Sequence, residues 1–401
     1  MNGPTAAKER IAVLDVLRGF AIFGILLVNM QTLSSAGYRA DSGERLWTAP
    51  VDRIAESLIS YAATGKFMIL FTVLFGLSVS LQMERTTAGD RPFLRLQLRR
   101  LLVLLAIGLV HAHLIWYGDI LVSYALAGLL LLLFRRCRPR TILVCAIALN
   151  VLSFAQLEGH TLRSLDGGTR VEPAAGAGPT TPAEAGVYAR GSFGEITRQR
   201  ARDFWSENAE LHNIVARRLS FFLLGLFIGR LGILADVPRH RRLLQTVLER
   251  AIVVGVLAHL AGYALSLQGL PAWTRLLRLP LTMVGNPAMA CAYAVAVVLL
   301  FQAPAARRLA APLAAVGRSA LSNYLLQSVI CTAIFYRYGL GLYGKVGPAA
   351  GMALSVVIFA LQAPASAWWL RRFRFGPVEW AWRSLTYGRL QPMRASPTRA
   401  D

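Results

Sequence analysis

A histidine set in an apolar helix, with a carboxylate in reach, can serve as a general base. The sequence holds such a pair around residues 108–119. Gly108-Leu109-Val110-His111 ends an apolar run, and His113, Trp116 and a Tyr117-Gly118-Asp119 turn follow. Imidazole titrates near neutral pH, and a carboxylate on one ring nitrogen selects the tautomer that leaves the other free to take a proton. His111 and His113 are two apart, so they leave a helix on different sides and only one can face a given cavity. The competing reading for either is a helix-to-helix hydrogen bond.

Three further groups have suggestive spacing. Asp15 and Arg18 are three apart and share a helix face, and Asn29 falls on nearly the same stripe. That face reads either as a polar wall touching a charged ligand or as a structural ion pair. Ser319, Asn323 and Gln327 recur every four residues, as a pathway lining or as interhelical hydrogen bonders, with the second reading favoured. His259 stands alone in an apolar run and reads as a packing residue. The sequence contains no Gly-x-x-x-x-Gly-Lys-Ser/Thr phosphate loop, no His-Glu-x-x-His and no Gly-x-Ser-x-Gly. Cys137, Cys145, Cys291 and Cys331 lack metal-ligand or disulfide spacing. No bound metal or cofactor is expected.

The elements that must position these residues are membrane helices. Of 401 residues, 55% are hydrophobic and only 16% charged, and apolar runs of spanning length recur along the chain. The pattern predicts an all-α, polytopic membrane protein with about ten spans. They fall near 11–30, 64–83, 99–117, 119–134, 140–157, 213–234, 246–267, 279–302, 317–337 and 348–370, within one transmembrane domain. Asp15 and Arg18 would interrupt a signal peptide's apolar core, so the first run reads as a retained span. One helix over 99–134 would be about 54 Å long, so it must fold back, and Gly118-Asp119 is its turn signal.

The net charge is +22, from 43 Lys+Arg against 21 Asp+Glu. In a soluble protein that balance suggests nucleic acid; here the arginines cluster in short loops between spans, which argues for membrane orientation and anionic lipid instead. Arg95, Arg99 and Arg100, then Arg135, Arg136, Arg138 and Arg140, then Arg239, Arg241 and Arg242 mark alternate loops as cytoplasmic. Both termini fall on that side. Residues 158–212 then form an extracytoplasmic loop. Its Gly167–Gly186 stretch reads as flexible, and a short amphipathic helix near Phe204-Trp205 lies over the outer mouth. Residues 371–401, with Trp380 and Trp382 among arginines, read as a cytoplasmic interfacial tail.

These blocks resemble the YeiB-like membrane proteins (domain of unknown function 418). The resemblance is carried by Leu14-Asp15-Val16-Leu17-Arg18-Gly19-Phe20, Phe71-Thr72-Val73-Leu74-Phe75-Gly76, Gly108 to His111 with Trp116 to Leu121, Gly317-Arg318-Ser319 to Ser328, and Phe375-Gly376-Pro377-Val378-Glu379-Trp380. It runs in order from about residue 11 to 391. The first-span pattern is also similar to transmembrane acyltransferases of the acyltransferase-3 and heparan glucosaminide acetyltransferase families. Those use a histidine after the first span, where this chain has Asn29-Met30-Gln31; its first histidine is His111. The resemblance implies acyl transfer from cytoplasmic acyl-CoA to an acceptor beyond the membrane, a sugar or a lipid. On that reading His111 and Asp119 are catalytic. Asp15, Arg18, Asn29, Trp116, Ser319, Asn323 and Gln327 bind or line the path. The alternative is a non-catalytic membrane protein, either a small-solute transporter, with Asn286-Pro287 as its broken helix, or an envelope factor.

Overall fold

A computed structural model describes residues 4–35, 47–85, 90–166, 182–265 and 274–394. The described chain is helical. In order run α1 (Pro4–Ser34), α2 (Pro50–Leu58), α3 (Lys66–Arg85), α4 (Asp90–Leu114), α5 (Leu121–Leu131), α6 (Pro139–Asp166), α7 (Pro182–Arg190) and α8 (Phe193–Glu207). Then come α9 (Leu211–Leu231), α10 (Arg241–Ala264), α11 (Thr274–Leu300), α12 (Pro304–Leu309), α13 (Ala311–Arg318), α14 (Ala320–Phe335), α15 (Pro348–Arg372) and α16 (Pro377–Tyr387).

Among the described residues, six stretches are long and apolar enough to cross a membrane: Ala12–Ser34, Pro50–Met83, Pro139–Gln156, Arg241–Ala264, Leu276–Leu300 and Pro348–Arg372. The other expected spans fall short for identifiable reasons. α5 has 11 residues and α14 has 16. α4 carries Arg95, Arg99 and Arg100, and α9 carries Arg217, Arg218 and Arg230. Large apolar side chains face outward: Val144, Ile147 and Leu152 on α6, and Val253, Leu257 and Leu260 on α10. Polar groups pair inside, as with Thr72 and Tyr124 at 2.6 Å. An apolar outer face with its polar groups paired inside is what a lipid environment selects.

α1 packs on α3, α13, α14 and α15, and α3 on α9. Glycine sets these crossings. A Cβ on Gly225 would lie 2.0 Å from the Val73 carbonyl oxygen, and one on Gly76 would lie 1.9 Å from that of Phe222. Backbones this close need small residues, which give membrane helices their dispersion contact.

The fold-back appears between Leu114 and Leu121, and an amphipathic helix, α8, forms with a Ser192–Glu195 capping box. Four expectations change. α6 continues to Asp166 rather than ending near 157. The 317–337 span is broken at Ser319, because Glu379 of α16 accepts hydrogen bonds from the Leu321 and Ser322 amides and caps a fresh helix start. The 371–401 tail is more than a surface anchor: Trp382 of α16 donates to the Arg100 carbonyl, docking α16 under α4. And α11 runs unbroken through Pro280 and Pro287, so Asn286-Pro287 is no helix break. Within the expected flexible loop, residues 167–181 lie outside the described residues and the remainder joins α7, as residues 395–401 of the tail also lie outside them.

Candidate functional site

His111 lies in the last turn of α4 and Asp119 precedes α5. Asp119 is held twice: one carboxylate oxygen accepts the Val122 amide at 2.8 Å, and the other meets His111 Nδ1 at 2.7 Å. The first contact caps α5, where a negative charge also suits the helix dipole. The second sets the tautomer: a carboxylate only accepts, so Nδ1 carries a proton, and in the neutral imidazole the lone pair is on Nε2. Both side chains are closed off, at 1% and 0% exposure.

Glycine permits the approach. A Cβ on Gly108 would sit 2.8 Å from the Val122 nitrogen, and one on Gly118 would sit 2.4 Å from the Trp116 ring. The Gly108-x-x-His111 and Trp116-x-Gly118-Asp119 spacings are thus requirements of a tight hairpin. Tyr324 of α14 lies against His111 with ring centroids 5.2 Å apart, and Trp116 stands at 6.4 Å. His111 Nε2, Trp116 Nε1 and the Tyr117 hydroxyl are buried without a hydrogen-bond partner. Orphaned buried polar atoms are rare and call for a ligand, a water or a moving part. His113, two residues away, instead packs on Phe204 and Trp205 of α8.

α8 roofs the hairpin. Arg200, fully buried, donates to the Leu114 carbonyl at 2.6 Å and to the Tyr338 hydroxyl at 2.8 Å. It thereby satisfies an orphan carbonyl at the C-terminus of α4. Tyr188 donates to Asp203 at 2.5 Å, and Gln199 donates to the same carboxylate at 2.7 Å. Tyr117, Tyr336 and Tyr343 pack on Tyr188.

Burial raises the Asp203 carboxyl above its ordinary value. The docked α8 therefore binds this proton more tightly than the undocked one. The resulting stabilisation is full below the ordinary aspartate value and is lost as pH rises through the raised one. Hydrogen-exchange protection factors in α8 are expected to fall with rising pH, and Asp203→Asn to flatten that dependence. An unchanged slope in the variant would remove Asp203 as the cause.

At the other end of the bundle Arg18 donates to Asp15 at 2.7 Å and to Ser78 at 2.6 Å. Its side chain is 27% exposed. The structure does not bring this pair to His111. Asn29 is half-buried further along α1, toward the end where Met30 and Leu33 pack with Trp116. Ser319, Asn323 and Gln327 form a ladder rather than a path. Asn323 donates to Ser366 at 3.0 Å, Gln327 donates to Gln362 at 2.9 Å, and Ser319 bonds the Ala315 carbonyl. The residue α14 contributes to the dyad is Tyr324, one position off that stripe. His259 has both ring nitrogens engaged, by the Gly255 carbonyl and Asn286.

The same blocks recur in known chains. Residues 228–389 match the family described as protein of unknown function DUF418. Uncharacterized protein YxaH of Bacillus subtilis (strain 168) is 37% identical over 406 residues, spanning 97% of each chain. An uncharacterized 39.9 kDa protein in the amylase 3' region of Bacillus acidopullulyticus is 30% identical, again over 97% of each. Uncharacterized protein YeiB of Escherichia coli (strain K12) is 30% identical over 94% of this chain and 96% of its own. With end-to-end similarity to such relatives and the family match in its C-terminal half, this helical membrane protein belongs to the DUF418 family, alongside YxaH and YeiB.

Proposed function

We propose that the protein is an acyltransferase of the bacterial cytoplasmic membrane, moving an acyl group from cytoplasmic acyl-CoA to a hydroxyl acceptor, a sugar or lipid, on the far side. The observation that carries this reading is the His111–Asp119 pair: a buried imidazole with its tautomer set by a carboxylate and its Nε2 uncommitted. In the proposed step Nε2 takes the proton of the acceptor hydroxyl, and the oxygen attacks the thioester carbonyl. The carbon–sulfur bond breaks, and the departing thiolate takes the proton back from the imidazolium. Trp116 and Tyr324 pack against the imidazole, Asn29 would line the path from α1, and Arg18, held by Asp15, would attract the donor's anionic part. The Ser319–Asn323–Gln327 ladder holds α14, and so Tyr324, in place. α11 runs unbroken through Asn286-Pro287, the break expected of the transporter alternative, while the 317–337 stretch is interrupted at Ser319.

The topology that goes with this reading has about ten spans and both termini in the cytoplasm, with shorter helices such as α5 crossing inside a protein surround. Arginine-rich short loops support it. A reporter inserted in the 158–212 segment is expected to read as extracytoplasmic; a cytoplasmic readout there reverses the orientation.

The direct test uses purified protein in lipid nanodiscs with labelled acetyl-CoA. The wild type is expected to transfer or hydrolyse the label and His111→Ala to do neither. Equal inertness of both across several acyl donors would sink the enzyme reading.

A further inference from the structure

We infer that Arg18, Arg100 and Arg383 form one binding site for a phosphate-bearing ligand, completed by the C-terminal helix α16. The site rests on, and deepens, the donor reading above, but its binding can be measured without catalysis.

The residues come from three separate elements and converge at the end of the bundle opposite His111. Arg18 and Arg100 grip the same face of α3: Arg18 donates to Ser78 at 2.6 Å and Arg100 to Gln82 at 2.6 Å, one helical turn apart. Gln97 also donates to Gln82, fixing that anchor. Arg100 lies within electrostatic reach of both Arg18 and Arg383. Arg318, at the end of α13, acts on Asp15 from the neighbouring side. Among the described residues, these four cations meet one carboxylate in ion-pair contact, Asp15 on Arg18. Glu379 is already engaged in capping α14.

Like charges brought together without carboxylates repel, and the fold holds them there by other means. Arg100 stacks on the Trp382 ring at 4.4 Å, and Arg383 stacks on Phe375 at 4.5 Å. Stacking engages the faces of the guanidinium planes, and leaves the edge donors of Arg383, and those of Arg100 beyond the one on Gln82, for a ligand, the geometry suited to contact with phosphate oxygens. Trp382 also donates to the Arg100 carbonyl, so the docking of α16 and the placement of Arg100 are one event.

The spacing to the dyad narrows the ligand class. Arg100 and His111 are on the same helix, eleven residues apart, which is about 16 Å along the axis. A ligand with phosphates at Arg100 and an acyl thioester on a long arm reaches the His111 level; an inorganic anion does not.

The same phosphate chemistry is offered by a soluble nucleotide thiol and by an anionic lipid headgroup, and two arms separate them. The first measures coenzyme A and adenosine 3',5'-bisphosphate binding calorimetrically, in nanodiscs of phosphatidylcholine only. The second measures phosphatidylglycerol retained on purification by mass spectrometry, with no nucleotide present. Each compares wild type, Arg383→Gln and Arg371→Gln. Arg383 is exposed, so its change spares folding, whereas Arg100→Gln also removes the anchor on Gln82. Arg371 is an exposed arginine outside the cluster and serves as control.

The expected result is roughly tenfold weaker nucleotide binding in Arg383→Gln, with Arg371→Gln unchanged. Loss of retained phosphatidylglycerol instead, with no nucleotide binding in any protein, keeps the phosphate site and assigns it to lipid. If wild type and Arg383→Gln match in both arms, the site is overturned, even where acyl transfer is detected. Arg383-dependent binding without any transfer would keep the site and count against the enzyme.

Discussion

Asp119→Asn is expected to lower acyl transfer by roughly 10⁴-fold while leaving the hairpin folded. The amide oxygen can still accept from the Val122 nitrogen, so the cap on α5 survives. Its NH₂ group, however, meets His111 Nδ1 as a donor. The imidazole must then move its proton to Nε2, and the atom that would take the acceptor's proton no longer can. His111→Ala removes the base as well, with a loss on the order of 10²–10⁴-fold, but it also opens a void and leaves the Asp119 carboxylate buried without its partner. The asparagine variant is therefore the cleaner probe. A transfer rate within a few-fold of wild type in Asp119→Asn, with coenzyme A binding intact, would show that the pair only packs the hairpin.

The second large effect is structural. Gly225→Val is expected to prevent α3 and α9 from seating. Its Cβ would fall 2.0 Å from the Val73 carbonyl oxygen and 2.8 Å from the Leu77 nitrogen, backbone atoms that cannot rotate away. Either the helices part, forfeiting the contact that holds them, or the strain stays. Overpacking of this kind costs about 1–3 kcal/mol when side chains can adjust, and more where backbone must move. The measurement is the fraction of detergent-purified protein that runs as a single species, with its thermal midpoint. Gly194→Ala is the control: nothing lies within 4 Å of its Cβ, and alanine in a helix is favoured by about 0.5–1 kcal/mol. A Gly225→Val protein as stable as wild type would mean that the crossing tolerates separation and that the glycines serve another purpose.

The His111–Asp119 hairpin and this crossing are linked through α3. Its first half carries Thr72 against Tyr124 of α5, and its second half carries Ser78 and Gln82 under Arg18 and Arg100. Displacing α3 would disturb both ends at once, so a partly folded Gly225 variant is expected to lose nucleotide binding together with transfer.

Several features were legible in residue order because they are local. Apolar length and the lack of charge require helices, since no other backbone arrangement satisfies its hydrogen bonds in lipid without closing a barrel. The 99–134 run is too long to cross once, and Tyr117-Gly118-Asp119 is the place it can turn. His111 and Asp119 are eight residues apart across that turn, so their pairing follows from a hairpin of short range. The pairing of Asp15 with Arg18 follows from one helical turn.

What only the tertiary structure decided depends on partners far away in sequence. The Ser319–Asn323–Gln327 stripe has the period of a polar path, and nothing in α14 alone distinguishes a path from a ladder. Gln362 and Ser366 of α15 make it a ladder. Tyr324 reads as one more apolar-helix tyrosine until α4 sets His111 beside it. Glu379 lies in a stretch that resembles a surface tail, yet it breaks a span by capping α14. Arg18, Arg100 and Arg383 belong to three unconnected segments, and no periodicity relates them. The physical reason is the same in each case: helix formation and turning are governed by neighbours in the chain, whereas the role of a buried polar atom is set by whichever group crosses the bundle to meet it.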